Sequence, residues 1–258
     1  MTGRIDDLAE ALVEARRTAR PLAAWPGALP QTLEEAYAIQ LAAIVRSGDA
    51  IAGWKVGRLS PDLEDRYGVD RFVGPVFAAD VSTQNNAGAS PFAMFAGGSA
   101  AFEAEFVAFV GRDEAGKLTV DRVTTGIEVA SSPVLPLPSL GSLVSVADLG
   151  NNAGQIIGVP VPVERLARPD AIGCATQVDE QAEVARTAAA LPGGPLAAFA
   201  FAVDQTQKLG IPLQEGQFVS TGAVTGMHAV EPGRRCSADF GEFGRIVCDV
   251  IARAPVRG

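Results

Sequence analysis

From residue 51 onward the chain reads as short β-like runs cut apart by turn residues, and this limits its fold more than any other feature. IAGWKVG, AAFEAEFVAFVG, VTTGIEVA, QIIGVPVPV, GQFVSTG and GRIVCDVIA are each rich in β-branched, aromatic or small apolar side chains. The 28 glycines and 17 prolines among 258 residues supply the turns between them. A β-rich core is therefore predicted over residues 49–258. Residues 1–48 have a different texture. Ile5, Leu8, Ala9, Leu12 and Val13 recur at helical spacing, with Arg16, Arg17 and Arg20 near the end and Pro21 as a stop. A second helix is predicted over residues 32–47, where Thr32 and Glu35 form a capping box, Ala36, Ile39, Ala43 and Ile44 make the apolar stripe, and Gly48 ends it. One more helix is predicted over residues 195–209, opened by Pro195 and closed by Gly210 and Pro212. The expectation is an α+β fold in a single domain, 1–258, with a helical N-terminal arm.

Charge and composition prune the functions. A formal net charge of −9 with no Lys/Arg cluster repels phosphate backbones and anionic membranes, so neither nucleic acid nor a membrane is an expected partner. No segment approaches the roughly 20 apolar residues of a membrane span, and the acidic, amphipathic start does not read as a secretion signal. Cys174, Cys236 and Cys248 are odd in number and form no C-x-x-C pair, which argues against a disulfide framework or a thiolate zinc site and for a reducing cytoplasm. His228 is the only histidine, so multi-histidine metal sites are excluded. It sits in the glycine-rich run TGAVTGMHAVEPG, and no G-x-S-x-G elbow exists to complete a serine triad with it.

The chemistry concentrates in three places. In residues 101–110, AFEAEFVAFV, a strand would turn Phe102, Ala104, Phe106, Ala108 and Val110 one way and Ala101, Glu103, Glu105, Val107 and Phe109 the other. Both faces are apolar except for two glutamates about 7 Å apart along the strand. In a dry site both stay ionised only beside a cation; the alternative is an edge strand whose carboxylates meet water or arginines. A second run carries Glu128 between Ile127 and Val129. Three carboxylates without histidine suit a hard, oxygen-liganded ion such as Mg²⁺ or Mn²⁺, although Glu128 alone also fits a solvent-facing strand position. Lys55 lies in GWKVG, where Gly53 and Gly57 flank it on the same face and leave room for another backbone or a ligand. It reads either as an acid/base with a lowered pKa or as a lysine snorkelling to the surface from a strand end.

Taken in order, GWKVG with Leu59, Ser60 and Pro61, then Glu103-x-Glu105 leading into FVAFVGRD, GIEVASS, Asn151-Asn152-Ala153 leading into IIGVPV, and GGPLAAFAFAVDQTQKLGIPLQEGQFVSTGAV resemble the 2-oxopent-4-enoate hydratase and 4-oxalocrotonate decarboxylase branch of the fumarylacetoacetate hydrolase superfamily. The resemblance covers residues 32–250. It implies a distorted β-barrel or roll with helices outside, a homo-oligomer, Mg²⁺ or Mn²⁺ held by Glu103, Glu105 and Glu128, and Lys55 as the catalytic acid/base. It also implies that Gly57, Asn152, Thr221 and Gly222 lie against a small 2-oxo acid substrate, whose C1 carboxylate and C2 oxygen meet the metal. The implied activity is a lyase of aromatic-compound catabolism, foremost a hydratase of 2-hydroxypenta-2,4-dienoate-type acids. Alternatives are a 4-oxalocrotonate-type decarboxylase, an acylpyruvate carbon–carbon hydrolase, and a non-catalytic partner that keeps the oligomeric scaffold.

The sequence departs from this pattern around the substrate. Ala130, Ser131 and Ser132 follow the third glutamate where the family carries an acidic residue, serine and arginine. Asn151-Asn152-Ala153-Gly154 replaces Asp-Asn-Ala-Ser, and Ala78 and Ala79 stand where acidic residues are expected, with Asp80 as a substitute. The interval from Glu105 to Glu128 is also short.

Overall fold

A computed structural model describes residues 2–256. In chain order the strands are β1 (Ile51–Arg58), β2 (Arg71–Phe77), β3 (Val81–Thr83), β4 (Ser90–Met94), β5 (Ser99–Arg112), β6 (Leu118–Ser132), β7 (Asn152–Val161), β8 (Gly173–Val178), β9 (Val184–Thr187), β10 (Phe218–Ser220), β11 (His228–Ala229), β12 (Arg235–Asp239) and β13 (Arg245–Ala252). The helices are α1 (Thr2–Arg17), α2 (Leu33–Ser47), α3 (Pro61–Tyr67), α4 (Leu137–Leu140), α5 (Ser142–Ala147) and α6 (Gly194–Lys208), with short 3₁₀ turns between elements. The large sheet runs β2-β1-β10-β5-β6-β7-β3, with β11 also paired to β5, and a second sheet runs β4-β13-β12-β8-β9. This is an α+β fold of two sheets with few helices. The path through the large sheet ends at β2 and β3, and no closed barrel forms among the described residues.

The hairpin of β5 and β6 is the spine. Its turn is fixed by Asp113, whose Oδ1 accepts from Ala115 N and Lys117 N, and by Gly116 at φ 79. The strands pair from Ser99↔Ser132 to Arg112↔Leu118 with one bulge at Phe109/Val110. The face of β5 that the alternation predicts to be apolar is wholly buried at Phe102 and Phe106, each side chain contributing about 1.5–3 kcal/mol by leaving water. The opposite face carries Glu103, Glu105 and Val107.

The N-terminal helices pack onto this spine. Helix α2 starts where expected: Thr32 accepts from Glu35 N, while the Glu35 carboxylate reaches back to Gln31 N rather than to Thr32. Its buried Gln40 donates to Val73 O at 3.1 Å and Val146 O at 2.7 Å, tying β2 to α5. From α1, Arg16 clamps the carboxylate of buried Asp148 and donates to Asn152 O at 2.7 Å. That contact fixes the loop entering β7. Sequence texture did not foretell β2 or α5, because RFVGPVF has no alternation when both faces are covered and α5 is only six residues long.

Candidate metal and active site

Strand register brings the three glutamates together. Glu103 of β5 is the direct cross-strand partner of Glu128 of β6, and Glu105 lies opposite Gly126. Directly opposed residues of an antiparallel pair share a face, so all three carboxylates project from one side. One oxygen from each lies within 4.8 Å of the others. All three residues are buried.

Two of these carboxylates have one oxygen held and one free. Glu128 Oε1 accepts from Lys55 Nζ and Asn152 Nδ2, each at 3.1 Å, while Oε2 has no hydrogen-bond partner among the described residues. Glu105 Oε2 accepts from Ser220 Oγ at 2.5 Å and Gly222 N at 2.9 Å, while Oε1 has none among the described residues. A buried carboxylate oxygen without a partner costs free energy that a cation would recover. Three carboxylate oxygens within 4.8 Å of one another, with no nitrogen or sulfur ligand grouped with them among the described residues, suit a hard divalent ion, so these residues fit Mg²⁺ or Mn²⁺.

The electrostatics record the same crowding. Burial, and then the charge of Glu128, push Glu103 up to about 8 against partial relief from Lys55. Burial, Glu128 and Glu103 hold Glu105 well above the usual carboxylate range, opposed by Ser220 and Lys55. Lys55 itself is 5% exposed and does not snorkel. Burial is the largest single effect on it and favours the neutral amine, yet attraction to Glu128, Glu103 and Glu105 together outweighs burial and raises its pKa. The lowered pKa expected from the sequence is therefore corrected, since the sequence does not show how many carboxylates face the amine.

The cluster borders a cavity of about 490 Å³ whose walls include Lys55, Gly57, Glu103, Arg71, Thr221 and Gly222. The space expected beside Lys55 is filled by aromatic rings: a Cβ on Gly57 would lie 2.3 Å from the Phe72 ring, and one on Gly53 2.5 Å from the Phe218 ring. Gly150, at φ 72, crosses Gly74 so closely that a Cβ on Gly74 would sit 2.6 Å from Gly150 Cα. This crossing lays the 149–151 turn along the lysine stem. Asn151 faces the cavity, but Asn152 lies behind Glu128 as its hydrogen-bond donor rather than on the cavity wall. Thr221 donates its hydroxyl to Phe106 O at 2.8 Å, and Gly222 at φ 111 aims its N–H at Glu105, so this turn braces a glutamate as well as lining the cavity.

Sequence reasoning missed Ser220 and Asp148 and marked Arg16 only as a helix-end charge, although Ser220 stands where a run of apolar strand residues meets the Thr-Gly turn. Ser131 and Ser132 spend their hydroxyls on nearby backbone. Asp80 pairs with Arg253 away from the cluster. An arginine nonetheless reaches the cavity from β2: Arg71 is paired with Asp70 and donates to Pro192 O, and its Nη1 has no protein partner among the described residues. His228 is half-buried, hydrogen-bonded to Thr225 Oγ1 at 3.0 Å and set in β11 beside Phe102.

The two-sheet α+β frame that carries this acidic trio is similar in fold to solved metal-bound structures. The structure superposes on 4-oxalocrotonate decarboxylase from Pseudomonas putida G7, solved with magnesium and adipate, with a TM-score of 0.75 at 20% identity, covering 97% of this chain and 98% of that one. It superposes on fumarylpyruvate hydrolase from Pseudomonas aeruginosa, solved with Mn²⁺ and pyruvate, with a TM-score of 0.54 at 17% identity, covering 77% and 88%. In sequence it is 27% identical to a 2-keto-4-pentenoate hydratase of Paraburkholderia phymatum over 94% of this chain and 96% of the relative. It is 28% identical to another hydratase of that name from Burkholderia vietnamiensis over 78% of each. No family model matches the chain. Fold and sequence together bear out the resemblance to the hydratase and decarboxylase branch of the superfamily.

Proposed function

We propose that this chain is a divalent-metal-dependent lyase of small 2-oxo acids, hydrating 2-hydroxypenta-2,4-dienoate-type substrates with Lys55 as the acid/base and Glu103, Glu105 and Glu128 as metal ligands. The observation that carries the reading is the pattern of held and free oxygens on Glu105 and Glu128, with Lys55 bonded to one of the held ones. A hard cation bound there supplies Lewis-acid stabilisation of negative charge developing on a substrate oxygen.

The chain's own groups account for the rest. Lys55 Nζ, on the cavity wall, holds a proton within reach of a bound acid. Its acidity depends on how much carboxylate charge is left uncompensated beside it, so neutralising the trio makes the ammonium a better donor. Asn152 and the Gly74–Gly150 crossing fix Glu128 and the lysine stem, limiting rotation of the reacting groups. Phe72, Leu137, Pro138 and Leu191 in the cavity wall exclude bulk water and strengthen the electrostatics of the site. The chain is read as a single domain whose sheets form a distorted roll, and as a homo-oligomer working in the cytoplasm on a diffusible substrate. Light scattering of the purified protein tests the assembly.

A second reading, decarboxylation of a 4-oxalocrotonate-type diacid, is favoured by Arg71, whose Nη1 is free to meet a distal carboxylate. One experiment separates the activities: 2-hydroxy-2,4-dienoates, 2-oxo-enedioates and acylpyruvates followed by ultraviolet absorbance with Mg²⁺ or Mn²⁺ and again after chelation. Metal-dependent hydration supports the first reading and CO₂ release the second. Turnover of acylpyruvates alone, or none at all, sinks both.

A further inference from the structure

One more buried polar side chain belongs to the glutamate row and has no part in the reading above. Gln155 of β7 is the direct cross-strand partner of Glu128, which is in turn the partner of Glu103, so the three stand in line across β5, β6 and β7 on one face of the sheet. Gln155 is 0% exposed. Among the described residues neither its Oε1 nor its Nε2 has a hydrogen-bond partner, although a buried amide ordinarily satisfies both.

The position of the amide is set by a glycine. A Cβ built on Gly126 would lie 2.8 Å from Gln155 Nε2 and 2.6 Å from Val107 Cγ2. Gly126 is the cross-strand partner of Glu105 and stands two residues from Glu128 on the same face. The side-chain amide therefore occupies the place that a residue-126 side chain would take, between the strand positions of Glu105 and Glu128. Those glutamates carry the unpartnered oxygens Oε1 and Oε2. Four unpartnered polar atoms gathered on one buried patch of sheet would be a costly packing fault for an apolar core, and an apolar residue at 155 would avoid half of it.

We propose that Gln155 is a positioning residue of the metal site, a neutral fourth member that orients the free oxygens of Glu105 and Glu128 toward a hard divalent cation. This deepens the metal-site reading and rests on it. With a cation bound, the amide would offer a donor and an acceptor to the cluster without adding a fourth negative charge. Gly126 is required because any side chain there would displace the amide.

The test is calorimetric titration of the full-length protein with Mg²⁺ and with Mn²⁺, for wild type and Gln155→Met, which keeps the volume and removes the hydrogen-bonding groups. Metal-free melting temperatures are measured alongside. The expected result is a loss of metal affinity of about 10- to 100-fold, the usual effect of removing a group that orients metal ligands, with a metal-free melting temperature at or above that of wild type. Gly126→Ala should reproduce the affinity loss with Gln155 intact. If Gln155→Met binds either metal as tightly as wild type, the proposal is overturned while the three-glutamate site stands. If wild type binds neither metal, the metal-site reading itself fails. Should Gln155→Met not fold, Gln155→Leu and Gly126→Ala carry the same comparison.

Discussion

Lys55 Nζ and Asn152 Nδ2 converge on the same oxygen of Glu128, one from the cavity side and the other from behind. The pairing gives the lysine a double character. It lines the cavity, and its positive charge lies beside three buried carboxylates.

Replacing Lys55 with Met should separate these roles. In chelator the variant should melt below wild type, because breaking a buried ion pair leaves carboxylate charge uncompensated, at a cost of about 3–5 kcal/mol before protonation relieves it. Saturating Mg²⁺ or Mn²⁺ should restore most of that loss, while turnover stays down by about 10² to 10⁴. Normal turnover in the metal-loaded variant would remove Lys55 from the chemistry.

Glu105→Gln keeps the volume and mimics the protonated carboxyl that burial and its acidic neighbours already favour. The metal-free protein should be as stable as wild type or more so. Metal affinity should fall by more than about 100-fold, beyond the effect of losing an outer group alone. Calorimetry returning the wild-type affinity would make Glu105 structural.

The metal-free protein should lose stability with rising pH. Glu103 titrates near 8 in the folded chain against an ordinary value of 4.5, so between these limits the folded state holds a proton that the unfolded state has released. The contribution is complete below 4.5 and is lost as pH rises through about 8. Metal competes with that proton, so affinity should climb over the same window and binding should release protons. Thermal melts in chelator across pH 4 to 9 check the first part, and titrations in buffers of different ionisation heat the second. Melting temperatures that rise steadily with pH would contradict the assignment.

Arg71→Leu should distinguish substrates. If Nη1 meets a distal carboxylate, KM for a 2-oxo-enedioate should rise by about 10- to 100-fold, the equivalent of one hydrogen bond to a charged group, with little change for a monocarboxylic dienoate. Equal effects on both substrates would assign Arg71 to holding Asp70 and Pro192 in place.

Much of this protein was legible in its sequence because the signals were local. Alternation along residues 101–110 put Glu103 and Glu105 on one face and the phenylalanines on the other, the capping residues Thr32 and Gly48 bounded α2, and the missing histidines fixed the kind of metal site that could exist. Tertiary structure decided what depends on register and approach across distant segments. Only pairing of β5 with β6 sets Glu128 against Glu103 rather than one residue away on the opposite face. Only the parallel pairing of β1 with β10 and the Gly74–Gly150 crossing bring Lys55 to that cluster, with its pKa raised where local sequence suggested the reverse. Asn152 moved from the expected substrate wall to the back of Glu128, and Gln155 joined the row, because a side chain's partner is set by the strand beside it, which one-dimensional spacing does not encode.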